Sequence, residues 1–162
     1  MPIREATTKD WTAIWPFFHE IVAAGETFSY PLDLGESQGR EWWMQTAPNR
    51  TVVAVDEAGT VLGTAKMGNN QSGNAGHVAT ASYMVDPARS GQGVGRALVE
   101  HTLDWARTAG FRAIQFNAVV ETNTYAVKLY ESLGFTILGT VPEGFRHPAQ
   151  GYVGLHIMHR PL

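Results

Sequence analysis

The sequence predicts an α/β (α+β) fold, a mixed sheet of about six to seven strands with helices on both faces. Three observations carry this. Hydrophobic periodicity switches between strand and helix in the order β-α-α-β-β-β-α-β-α-β-β. The second half alternates strand, helix and strand, as parallel crossovers require. "AIQFNAVV" (Ala113–Val120) is a near-continuous apolar run, as in a strand covered on both faces.

The elements follow in order. "IREA" (Ile3–Ala6) alternates and reads as a short first strand. Thr7, Thr8 and Asp10 offer caps before the helical run "WTAIWPFFHEIVAAG", where Pro16 predicts a kink or an early break. "ETFSYPLDLG" (Glu26–Gly35) reads as a loop punctuated by Pro31, and "SQGREWWMQTA" (Ser37–Ala47) as a shorter helix. "TVVAVD" (Thr51–Asp56) and "VLGTAKMG" (Val61–Gly68) flank the turn "EAGT", a hairpin signal. After the loop "NNQSGNAG" comes a β-rich strand, "HVATASYMVD" (His77–Asp86), stopped by Pro87. A glycine loop and a helix to about Thr108 follow, then the strand Ala113–Val120. "TNTYAVKLYESLGF" (Thr122–Phe135) is a capped helix closed by Gly134. "FTILGTV" and "YVGLHIMHR" close the sheet, with the Pro/Gly stretch "PEGFRHPAQG" read as a loop between them.

The bulk properties narrow the function. A length of 162 residues suits one domain, residues 1–162, with a sizeable core. A net charge of −3 without any dense Lys/Arg run argues against nucleic acid as a partner. No apolar run spans a bilayer and no leader-like apolar stretch opens the chain, so the expectation is a cytoplasmic protein with no membrane partner. Cysteine is absent, which removes disulfides, thiolate metal sites and cysteine nucleophiles. No His-Glu-x-x-His is present, and His156 and His159 stand three apart on a strand, so they point to opposite faces; no metal is expected.

The chemistry concentrates in "RSGQGVGRAL" (Arg89–Leu98), between a strand and a helix. Such a loop presents free backbone N–H groups at the positive end of a helix, and glycines let an anion come close. The dinucleotide register G-x-G-x-x-G fails from both Gly91 and Gly93, and no Gly-Lys pair exists for a P-loop. The loop is then either a plain strand-to-helix turn or the cradle of a different phosphate-bearing ligand.

"YMVDPARSGQGVGRAL" and "ETNTYAVKLYESLGF" together resemble the GNAT (GCN5-related N-acetyltransferase) family. That family joins a strand ending in hydrophobic-x-Val-x-Pro to a Gln/Arg-x-x-Gly-x-Gly/Ala loop, followed about 30 residues on by Asn-x-x-Ala-x-x-Leu-Tyr-x-x-x-Gly-Phe. Val85, Pro87, Gly93 and Gly95 match the first part, and Asn123 through Phe135 match the second without a gap. The resemblance implies a sheet splayed at the strand before the glycine loop, acetyl-CoA as cosubstrate, and acetyl transfer to a primary or secondary amine of a small molecule. The flavour is that of enzymes acting on amino acids or analogues, including phosphinothricin-type and proline-analogue acetyltransferases. Such relatives are often homodimers.

The resemblance implies roles residue by residue. Ser90, Gly91, Gln92, Gly93, Val94, Gly95, Arg96 and Ala97 would cradle the pyrophosphate of coenzyme A. Main-chain groups of Tyr83, Met84 and Val85 would pair with the pantetheine arm like an added strand. Asn123 would hydrogen-bond that arm, or cap its helix, or both. Tyr130 falls on the general-acid position, where a phenol protonates the departing thiolate. The family's loop Gln/Arg is replaced by Ser90, with Arg89 one place earlier. A Glu used as base by some members falls near Ala118, so the base is left open among Glu121, His77, Asp86 and Glu26. Phe28, Tyr30, Asn117, Arg146, His147 and Tyr152 are candidates to line the amine pocket.

Two rival classes remain. A non-catalytic acetyl-CoA sensor would keep the cradle and lose turnover. "GESQG" (Gly35–Gly39) spells the G-x-S-x-G elbow of serine hydrolases, but the preceding "YPLDL" lacks the buried strand an elbow needs.

Overall fold

A computed structural model describes residues 1–162. In chain order the elements are β1 (Ile3–Glu5), α1 (Trp11–Ala24), α2 (Glu36–Trp43), β2 (Arg50–Val55), β3 (Val61–Asn69), β4 (Val78–Val85), α3 (Val94–Thr108), β5 (Ala113–Val120), α4 (Thr124–Ser132), β6 (Thr136–His147) and β7 (Gly151–Pro161). The strands form a seven-stranded sheet in the order β1-β2-β3-β4-β5-β7-β6. Every neighbouring pair is antiparallel except β4 and β5. The mixed sheet expected from the sequence is therefore present, in the expected element order.

Alternation along the strands decides which helix each face receives. Val53 and Val55 of β2 pack with Trp11, Ile14, Phe18 and Val22 of α1 and Trp43 of α2. Val52 and Ala54, one residue out of phase, pack with Val94 and Leu98 of α3 on the opposite face. Both faces of the strand are thus dry, which explains a run with no polar alternation. Each fully buried side chain such as Ile14 or Phe18 contributes about 1.5–3 kcal/mol. A short polar ladder fixes α2 to the sheet. The Trp43 indole donates to Thr64 Oγ1 (3.1 Å), which donates to the Val52 carbonyl (2.8 Å), while Thr51 Oγ1 donates to the Trp43 carbonyl (2.7 Å).

Two expectations need correction. α1 runs unbroken through Pro16, because Pro16 lies on the exposed side, where water can solvate the orphaned carbonyl one turn back, and the buried stripe holds the helix. The stretch Pro142–Gly151 is mostly strand. β6 continues to His147 and pairs with β7 as far as His147↔Gly151, leaving only residues 148–150 as the turn. β6 is the edge strand, where proline is tolerated, and the register shift between Val141 and Phe145 absorbs Pro142, Glu143 and Gly144.

Two irregularities shape the middle of the sheet. β4 and β5 pair only at Val78↔Ala113 and Ala79↔Ile114. Beyond that point they part, β4 continuing along β3 and β5 along β7. β5 also carries a bulge between Phe116 and Val119, which leaves Asn117 and Ala118 exposed toward the gap.

Candidate active site

Two cavities flank the gap between β4 and β5. On the α3/α4 side lies a cavity of about 490 Å³ bounded by Arg89, Ser90, Gly91, Gly93, Val94, Gly95, Asn123 and Leu129. A second cavity, of about 390 Å³, is bounded by β4 from Thr80 to Val85, β5 from Phe116 to Val120, and Thr27–Tyr30 of the loop after α1. Tyr83, Val85, Asn123, Ala126 and Tyr130 line both, so the two cavities meet at these residues.

The glycine loop is built for a close ligand. Gly91 and Gly93 both have φ +79°, a left-handed conformation that a side chain disfavours. Gly93 is the N-cap of α3, so the first amides of α3 open toward the cavity. Gly95 has no such φ, and a Cβ there would meet only ordinary contacts at 3.7 Å from Leu129 and Val85. Neither strain nor crowding inside the protein requires glycine at this position, whereas a ligand seated on the helix end does. Arg89 and Ser90 both border the cavity.

The edge of β4 facing the gap has no strand partner beyond Ala79. Alternate amide and carbonyl groups from Ala81 to Val85 are therefore open to an extended ligand carrying amides of its own. Across the gap, Asn123 caps α4, accepting from the Ala126 N–H at 3.3 Å. One lone pair of its carbonyl oxygen is used, and its NH₂ group makes no hydrogen bond to the protein.

Tyr130 sits at the junction, one helix turn and a half into α4. Its ring packs on Phe116 (4.6 Å between centroids) and Phe135 (5.9 Å), with Tyr83 at 6.2 Å. Burial pushes its phenol well above the ordinary tyrosine range, and no hydrogen bond or charge offsets this. It therefore keeps its proton at neutral pH, the form a proton donor needs. Tyr83 is displaced in the same direction by burial, and its hydroxyl is enclosed without a partner.

The base candidates are placed otherwise. Glu121 accepts the Gly154 N–H at 2.7 Å and stitches the end of β5 to β7. Asp86 accepts the Ala88 N–H at 3.0 Å and caps the turn before the glycine loop. His77 precedes β4, at the paired end away from the gap. Glu26 is exposed beyond the cavity wall. No carboxylate or imidazole lines the inner cavity.

Phe28, Tyr30 and Asn117 do line it. Phe28 and Tyr30 stack on each other at 5.5 Å, and Asn117 donates to Asn70 Oδ1 at 2.6 Å. Arg146, His147 and Tyr152 do not reach it. They lie at the tip of the β6–β7 hairpin, where Arg146 pairs with Tyr152 and His147 Nδ1 accepts the turn amides of Ala149 and Gln150. On the outer side, Gln92 and Ala97 fall outside the lining, and the Arg96 side chain turns away to Glu100 (3.1 Å) and Ser132 (3.2 Å). Tyr125 and Leu129 are lining residues that sequence reasoning missed, although both lie within the second motif. Ser37 of "GESQG" is exposed in the first turn of α2, with a loop and not a strand before it, so no elbow forms. No group of three or more metal-binding side chains is gathered anywhere.

Comparison with known proteins agrees with this geometry. The acetyltransferase (GNAT) family pattern matches residues 11–135. A solved GCN5-related N-acetyltransferase from Kribbella flavida is 60% identical, with a TM-score of 0.97 over 99% of this chain and 97% of that one. The acetyltransferase yncA from Salmonella typhimurium, solved with its cofactor acetyl-CoA, is 25% identical, with a TM-score of 0.82 over 100% of this chain and 94% of that one. The L-methionine sulfoximine/L-methionine sulfone acetyltransferase of Pseudomonas aeruginosa is 31% identical over 87% of this chain and 83% of its own length. Against the first curated relatives it matches, the chain spans about half of their length or less.

Proposed function

The chain belongs to the GNAT acetyltransferase family, and on that premise we propose that it moves the acetyl group of acetyl-CoA onto the amine of a small molecule. The observation that carries the reading is the pair of cavities at the gap between β4 and β5. The glycine cradle borders one and Phe28 and Tyr30 the other, and Tyr130 lines both. The phosphates sit on Gly91–Gly95 and the α3 amides, with Arg89 as counter-charge. The pantetheine arm lies along the open edge of β4 and under Asn123, which delivers the thioester to Tyr130.

The amine enters from the Phe28–Tyr30 side. Its nitrogen lone pair attacks the thioester carbonyl, and the C–N bond forms as a tetrahedral intermediate. Collapse breaks the C–S bond, and the thiolate takes the Tyr130 proton. With no carboxylate or imidazole in the inner cavity, the amine arrives as the free base, its nitrogen gives up one proton to water as the intermediate collapses, and solvent returns a proton to Tyr130.

The acceptor is an amino acid or a close analogue, in keeping with the P. aeruginosa relative's name. The reaction is placed in the cytoplasm, where acetyl-CoA is at hand. No helix of the chain is long and apolar enough to cross a membrane. Domain and assembly belong to the same reading. Residues 1–162 act as one unit, and a homodimer covers the edge strand β6, where Ile137, Leu138 and Val141 are 40%, 62% and 46% exposed. A thiol-release assay with acetyl-CoA and a panel of amino acids, polyamines, aminoglycosides and peptides tests the activity. The proposal expects release with at least one amine and a product heavier by one acetyl group. Cofactor binding without release for any amine makes the protein a sensor instead.

A further inference from the structure

Lys66 holds Tyr30, a lining residue of the amine cavity, and makes no ion pair. It stands on β3 opposite Thr51 of β2 and Ser82 of β4. That is the face covered by α1 and α2, since Thr64, two residues earlier on the same side, bonds the Trp43 indole. The Lys66 ammonium donates to the Tyr30 hydroxyl at 2.9 Å and to the Trp42 carbonyl at 3.2 Å. It also lies 5.6 Å and 5.4 Å from the ring centroids of Tyr30 and Trp43. All these partners are neutral. The ion pairs of the protein involve Arg4, Arg50, Arg96 and Arg107, and none involves Lys66.

An ammonium carries three N–H donors, and two are used here. A pocket of about 170 Å³ opens at Lys66, bordered by the neutral polar groups of Gln45, Asn49 and Asn69. Beside Met67 and Gly68, its wall includes Thr80, Ala81 and Ser82, which also border the amine cavity. Tyr30, whose hydroxyl the ammonium holds, lines the amine cavity itself. A partly buried cation with a spare donor, no acid within reach and a shared wall with the acceptor site is arranged for an anion carried by the acceptor.

Building on the acetyl-transfer reading above, we infer that Lys66, with the Tyr30 hydroxyl, receives the carboxylate of the acceptor and selects amino acids over amines that lack an acid. The same charge repels polyamines and aminoglycosides, which carry only cations. The competing account makes Lys66 a structural pin that ties the Tyr30 loop to the sheet.

The experiment uses the full chain, acetyl-CoA, and the common L-amino acids with L-methionine sulfone, each paired with its carboxamide, plus spermidine. For the best acceptor, kcat/KM for acid over amide is measured in the wild type, Lys66→Met and Lys66→Arg. The inference expects the wild type to favour the acid and to leave spermidine untouched. It expects Lys66→Met to lower the acid-to-amide ratio by about 10- to 100-fold, chiefly through KM for the acid. KM for acetyl-CoA stays unchanged, and Lys66→Arg restores much of the ratio. Equal losses for acid and amide in Lys66→Met make Lys66 a pin and overturn the inference. So does a wild type that prefers carboxamides or spermidine, an outcome that leaves acetyl transfer standing. If Lys66→Met does not fold, the same ratio is read in Lys66→Gln, where an unchanged acid-to-amide ratio overturns the inference. Failure to turn over any amine overturns both readings together.

Discussion

Replacing Tyr130 with Phe removes one oxygen and leaves the aromatic packing in place. The ring stays against Phe116 at 4.6 Å and Phe135 at 5.9 Å. No protein group bonds the hydroxyl, so its loss changes stability by no more than about 0.5 kcal/mol. The effect falls on chemistry. A positioned general acid supplies typically about 10²–10⁴ in rate. The leaving group here is an alkyl thiolate, far less basic than an alkoxide, which departs fairly well unaided, so the lower part of that range applies. The expected loss is about 100-fold in kcat, or about 2.7 kcal/mol, with little change in KM for acetyl-CoA. The assay is thiol release at saturating acetyl-CoA, run as a pH series. Burial raises the Tyr130 pKa, so the proton-bearing form persists above the ordinary tyrosine value. The wild-type rate therefore climbs with pH as the acceptor amine loses its proton, with no fall before about pH 10. A Tyr130→Phe protein that keeps more than half of wild-type kcat, or a wild-type rate that falls between pH 8 and 9, would refute this assignment.

Three further outcomes follow from the same geometry. Gly93→Ala places a side chain at φ +79°, which costs about 1–2 kcal/mol; a thermal melt should fall by about 2–8 °C, with KM for acetyl-CoA raised at least several-fold. Asn123→Ala removes the α4 cap, so calorimetry should show a loss of about 1 kcal/mol together with weaker acetyl-CoA binding by titration. The Arg4 guanidinium, donating to Asp10 at 2.8 and 2.9 Å, holds the Asp10 carboxyl down to about 2. A pKa lowered by folding stabilises above the unfolded value and loses that contribution as pH falls through the folded one. Asp10→Asn should therefore cost about 1–2 kcal/mol in urea melts at pH 7, less than the full shift implies because Arg4 is half exposed, and nearly nothing at pH 2.

How much was legible depended on whether the signal was local. The glycine cradle and the Asn123–Phe135 helix could be read because each is contiguous and each residue type answers a backbone need, as at Gly93 and Asn123. β2 was legible as an apolar run because both of its faces are covered; β5 is covered on its Ile114 and Phe116 face alone, and Gln115 and Asn117 bond each other on the open side. Pro142–Gly151 misled because proline and glycine mark edge-strand bulges as readily as loops. That misreading also drew Arg146, His147 and Tyr152 into the pocket, whereas the hairpin carries them past the end of β5. Lys66 gave no sequence signal. Its significance comes from Tyr30 and Trp42, residues 36 and 24 positions away in the chain, being folded onto it.

The central claim is that acetyl transfer runs through the gap between β4 and β5. A crystal structure with a bisubstrate analogue, coenzyme A joined through its sulfur and an acetyl spacer to an amino acid nitrogen, tests it most directly. The account predicts phosphates on Gly91–Gly95, the pantetheine arm on the open edge of β4, the spacer carbonyl beside Tyr130, and the amino acid emerging against Phe28 and Tyr30. An analogue held wholly on the α3/α4 side, with the amino acid outside the gap, would contradict it.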